Sequence, residues 1–119
     1  MANQQMAELY RQMGEYVKME DELPFLQFAA YYQDLMACLQ ANYQELTTEE
    51  LIQAQGCCTI LSSNAQVRAT RKDPNKKKFS KIAEKGAFWQ EAIKTRLTKE
   101  GLSAEELEQK IQGLWDEDE

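Results

Sequence analysis

"TTEELIQAQGCCTILSSNAQVRATR", residues 47–71, admits two readings that lead to different folds. As a DNA-reading helix-turn-helix, Gly56 would be the turn glycine and residues 61–71 the recognition helix, with Arg68 and Arg71 offered to the bases. The inward position after that turn is then Ser62, where the motif needs an aliphatic side chain. As one helix from Thr48, the same stretch places Leu51, Ala54, Cys58, Leu61 and Ala65 on a narrow face of mostly small residues. The single-helix reading is self-consistent and predicts a close-packed neighbour. Gly56 weakens such a helix by about 1 kcal/mol relative to Ala. Close approach of another backbone is therefore expected there.

The start of this helix is written in local chemistry. Thr47 with Glu50 makes a capping box, and Leu46 with Leu51 occupies the hydrophobic-staple positions. Ser103, Glu106, Leu102 and Leu107 repeat the arrangement and predict a short last helix carrying Ile111, Leu114 and Trp115. Between them, Asp73-Pro74 breaks the pattern, and Asp73 is expected to cap a helix with Pro74 at its first position. Phe79, Ile82, Gly86, Trp89, Ile93 and Leu97 run down one side of it, and Gly101 ends it.

Upstream, Met6, Leu9, Tyr10, Met13 and Val17 form a stripe over residues 3–19. Asp21 is expected to cap the next helix, with Pro24 in its first turn, and Phe25, Phe28, Tyr32, Leu35 and Leu39 to line its inner face. No segment alternates as a strand does. The expected fold is all-α, an antiparallel helical bundle of four to five helices. Residues 1–115 are read as a single helical-bundle domain and residues 116–119 as an acidic frayed tail.

Composition narrows the function classes. The 119 residues include no histidine, which removes the commonest general base and metal ligand. The glycines are isolated, so no phosphate-cradling loop is present, and the acidic pairs Glu49-Glu50 and Glu105-Glu106 belong to helix starts. No catalytic residue, metal ligand or cofactor is expected, and the chain reads as a non-enzyme. The three cysteines, Cys38, Cys57 and Cys58, lack framework spacing and read as small core residues. The first residues lack the charged start and apolar run of a signal peptide, and no apolar run approaches membrane-spanning length. The expectation is a cytoplasmic protein with no membrane contact.

Charge is distributed unevenly. Residues 1–67 are net −7, residues 68–85 net +6 and residues 86–119 net −5. The basic segment places Arg68, Arg71 and Lys72 at a helix C-terminus, which the macrodipole favours. It places Lys76, Lys77 and Lys78 in a first helical turn, which the macrodipole opposes. Lys81 and Lys85 continue along one helix face to Phe88. Local rules broken without local compensation mark functional positions.

These eight residues are the candidate contact set for an acidic macromolecular partner, which makes the chain a helical adaptor. Binding of a nucleic-acid backbone, as a subunit of a ribonucleoprotein or DNA-processing assembly, is the alternative. The aromatic and methionine surplus on the first two helices, with Tyr16 and Tyr31 off the main stripes, further suggests a homodimer through those two tyrosines.

Overall fold

The computed structural model describes residues 3–115. Five helices follow in order: α1 (Gln4–Val17), α2 (Phe25–Asn42), α3 (Thr48–Ala69), α4 (Lys76–Lys99) and α5 (Ala104–Gln112). A single 3-10 turn, Tyr43–Glu45, joins α2 to α3, and no strand occurs among the described residues. The fold is all-α. The acidic tail at 116–119 lies outside the described residues.

Helix α3 is unbroken through Gly56, so the helix-turn-helix reading fails. Its partners explain its length. Thr48 Oγ1 donates to Glu100 Oε1 at 2.9 Å, Gln90 Nε2 to Thr59 Oγ1 at 3.0 Å, and Ser62 Oγ to the Ala83 carbonyl at 3.0 Å. Each step forward on α3 meets a step back on α4, so this pair is antiparallel. Helix α1 packs on the other side of α3, and α5 also touches it.

The narrow inward face expected for α3 is too small a description. Gln55, Gly56 and Cys57 are buried beside Leu51, Ala54, Cys58, Leu61 and Ala65, because α3 has neighbours on several sides. A helix buried nearly all round loses the one-sided pattern that sequence periodicity detects.

Both capping boxes form, with Thr47 and Ser103 accepting from Glu50 and Glu106 N–H. Glu50 does more than cap. Its carboxylate accepts the Asn3 N–H at 2.5 Å as well as the Thr47 N–H at 2.9 Å, which ties the start of α1 to α3. Burial pushes the Glu50 carboxyl up, but these N–H groups outweigh it and leave it below its ordinary value. At the other end of α4, Gly101 adopts φ 110°, and Leu102 N–H returns to the Leu97 carbonyl at 3.1 Å. That is the Schellman ending anticipated from the glycine.

Two expected caps are displaced. Asp21 does not cap α2, whose N-cap position is Pro24 with no side-chain bond. Helix α4 begins at Lys76 rather than Pro74, because Pro74 and Asn75 form a turn in which Asp73 Oδ1 accepts the Asn75 N–H at 2.7 Å.

Gly56 does face a close neighbour, though a pair of side chains rather than a backbone. A Cβ there would lie 2.4 Å from Leu114 Cδ1, and one on Gly14 would lie 2.8 Å from Trp115 Cδ1. The two glycines form a slot between α1 and α3 that the C-terminal Leu114 and Trp115 fill. Trp115 stacks on Tyr10 with centroids 5.2 Å apart, and Tyr10 Oη donates to the Leu114 carbonyl.

Cys38, Cys57 and Cys58 are free and fully buried. Burial pushes all three thiols up, Cys57 to about 12. The thiolate is the reactive form. The folded protein should therefore resist a maleimide at neutral pH and react fully once denatured. Rapid modification of two or more thiols under native conditions, read by mass spectrometry, would contradict this packing.

Candidate interaction surface

The basic segment spans the end of α3, the turn at 70–75 and the first three turns of α4. The structure divides its eight cationic residues into three groups.

Arg68 is not a surface charge. Only 8% of it is exposed, and its guanidinium carbon lies 4.4 Å from the Phe79 ring centroid and 5.2 Å from that of Phe28. Its Nε is 3.9 Å from Glu22 Oε1, and its Nη1 is buried without a hydrogen-bond partner. The expectation that Arg68 contacts a partner is corrected: its side chain covers two buried aromatic rings.

Arg71 is exposed but engaged. Its Nη1 donates to Glu22 Oε1 at 2.7 Å, and this bond holds the Glu22 carboxyl below its ordinary value and the Arg71 guanidinium above its own. Arg71 and Glu22 thus clasp the corner to the segment between α1 and α2. At this exposure such a pair contributes about 0 to 1 kcal/mol.

Lys72, Lys76, Lys77, Lys78, Lys81 and Lys85 are all exposed. Among the described residues no carboxylate lies within 4.0 Å of any of them, the five ion pairs being made by arginines. Lys78 Nζ sits 5.5 Å from the Phe25 ring. No side chain caps the first turn of α4 from its N-cap Asn75. The lysines therefore stand uncompensated over the positive end of the helix. Phe88, two turns beyond Lys81, is 63% exposed and meets the edge of Trp89 with centroids 5.6 Å apart. Glu84 and Glu91 flank it on the same side of the helix.

The tyrosines nominated for self-association lie elsewhere and are not equivalent. Tyr31 is 3% exposed, donates from Oη to the Leu9 carbonyl at 2.7 Å and meets Tyr16 edge-on at 5.5 Å. That corrects its assignment to a surface between copies. It was misplaced because α2 packs both against α1, through Tyr31 and Cys38, and along the Phe28–Leu35–Leu39 stripe. Tyr16 is half-buried and lines a cavity of about 290 Å³ with Met13, Val17, Phe28 and Ile60.

Sequence reasoning missed Glu22 as the clasp of the corner and Arg96 as the clasp of the opposite end. Arg96 donates to the Tyr43 and Leu46 carbonyls at 2.5 and 3.2 Å and to Glu100 at 3.2 Å. Nothing local announced this role, because the carbonyls it binds lie about fifty residues away, around the 3-10 turn that joins α2 to α3.

Among the described residues no three Cys, Asp or Glu side chains are placed to share a metal ion, and no helix is long and apolar enough to cross a membrane. The chain matches no family model, and neither the curated proteins nor the solved structures give a significant match.

Proposed function

We propose that this chain is a non-enzymatic helical adaptor that docks an acidic macromolecular partner through Lys72, Lys76, Lys77, Lys78, Lys81 and Lys85. The carrying observation is that, among the described residues, no carboxylate lies within 4.0 Å of these six exposed ammonium groups in a protein of net charge −6. Were their role to neutralise the acidic helices, pairs with those acids would be expected, and the nearby Glu22 is instead taken by arginines. Arg71 supports the surface by fixing the corner; Arg68 supports it from beneath.

Exposed ammonium groups aligned over several turns attract a partner at long range and fix its register, with a strong dependence on salt. A protein surface rich in Asp and Glu is the favoured partner, because the chain's overall negative charge opposes approach to a polyanion as long as nucleic acid. One observation favours the nucleic-acid reading: Phe88 stands exposed in line with Lys81 and Lys85, where a base could stack.

Affinity capture from the source cells, with wild type and the Lys76→Gln/Lys77→Gln/Lys78→Gln variant side by side, tests the proposal. A protein retained by wild type at low salt, released at high salt and missing from the variant is expected. Titration of duplex and single-stranded oligonucleotides at about 50 and about 200 mM salt separates the second reading, which requires binding with a steep salt slope. Retention of the same proteins by wild type and variant would contradict the first reading, and no binding of any oligonucleotide at the lower salt the second.

A further inference from the structure

We propose that the cavity between α1, α3 and the segment joining α1 to α2 binds a lipophilic cation, a small organic amine with an apolar body. At about 290 Å³ it sits at the lower edge of ordinary small-molecule sites. Apart from Asn64 and the acidic residues its lining is apolar, and it includes Tyr16, Phe28 and Tyr31. Its rim carries three consecutive carboxylates, Glu20, Asp21 and Glu22, and no Lys or Arg lines it anywhere. Glu22 is occupied by Arg71, which leaves Glu20 and Asp21 exposed and without an ion-pair partner among the described residues.

The division of chemistry selects the ligand. An apolar body entering between Met13, Ile60 and the aromatic residues leaves water, and its ammonium group remains at the rim beside two free carboxylates. A carboxylate ligand of the same shape meets the two uncompensated like charges of Glu20 and Asp21 and is rejected. A neutral analogue keeps the apolar contacts and loses the rest. Val17 and Met19, large apolar side chains 41% and 47% exposed at this cavity, would be covered by the bound ligand. The site lies on the α1 side of α3 and the lysine surface on the α4 side, and the Glu22–Arg71 pair stands between them, so the test leaves Glu22 unchanged.

The probes are 4-phenylbutylamine, 4-phenylbutanol and 4-phenylbutyrate, titrated by calorimetry and by NMR shifts of the Met13 and Ile60 methyl groups. The amine should bind at least about tenfold more tightly than the alcohol, with the butyrate undetectable. Val17→Trp, which fills the mouth from an exposed position, should abolish amine binding while circular dichroism is unchanged. Should that variant fail to fold, Glu20→Gln/Asp21→Asn carries the test: amine affinity falls to that of the alcohol, and alcohol affinity stays as it was. An amine preference smaller than about tenfold, equal binding of the butyrate, or failure of every probe would overturn the proposal. So would a dimer in sedimentation that Val17→Trp disrupts and the amine leaves intact, which would assign the cavity to a second copy.

Discussion

Phe79→Ala should lower the stability of this protein by about 3 to 5 kcal/mol, the cost of deleting a buried aromatic side chain and leaving its space empty. Phe79 is fully buried and is the hub where the basic corner meets the core. The rings of Phe25 and Phe28 lie 5.3 and 5.5 Å from it, and the Arg68 guanidinium lies 4.4 Å from its centroid. Removing it also strips Arg68, whose Nη1 already lacks a partner, of the nearer of its two rings. Against a total of about 5 to 15 kcal/mol, that loss threatens the folded state at physiological temperature. Phe88→Ala, the same change at a site 63% exposed, should stay within about 0.5 kcal/mol of wild type. Urea denaturation of both variants checks the contrast, and similar losses at the two positions would contradict the packing of the corner.

Gly86→Leu should be comparably damaging, by about 3 kcal/mol, at the upper end of what overpacking a core costs. Helices α3 and α4 approach closely at this glycine: a Cβ on it would lie 3.0 Å from Ser62 Cβ and 3.5 Å from the Cys58 carbonyl oxygen. A single methyl needs a shift of a few tenths of an ångström, and an alanine gains about 1 kcal/mol of helix propensity over glycine. Gly86→Ala should therefore come out near neutral. A leucine has no such space and must push the two helices apart, breaking the Ser62 Oγ bond to the Ala83 carbonyl. If Gly86→Leu unfolds at the wild-type denaturant concentration, the antiparallel pair is not packed through this glycine.

What the sequence disclosed follows the range of the interactions involved. Thr47 with Glu50, Ser103 with Glu106, and Gly101 after α4 act within five residues, and each was legible because its partners are local. The α4 stripe was legible because one side of that helix meets the core and the other meets water. Helix α3 was only half legible: buried on several sides, it placed Cys57 and Gln55 inside without any periodic signal. Long-range partners were hidden altogether. Nothing near Gly56 in sequence announces Leu114 and Trp115, and nothing near Arg68 announces Phe28 and Glu22. The candidate surface shows the same division. Its lysines were visible as a run of charge, whereas the burial of Arg68 and the pairing of Arg71 depend on the segment between α1 and α2. Tyr31 looked like surplus aromatic area because its acceptor, the Leu9 carbonyl, lies on a different helix.

Whether the lysines serve a partner or the fold is tested most directly by the Lys76→Gln/Lys77→Gln/Lys78→Gln variant. Its denaturation midpoint and its retention of captured partners should be measured on the same preparation. With no carboxylate among the described residues within 4.0 Å of these lysines, the change removes mutual repulsion and an unfavourable macrodipole interaction, so stability should be unchanged or raised by about 0 to 0.5 kcal/mol. Partner binding should fall by about tenfold or more and lose much of its salt dependence. A stability loss of about 1 to 2 kcal/mol with partner retention unchanged would show that the lysines neutralise the protein's own acids, and would contradict the central claim.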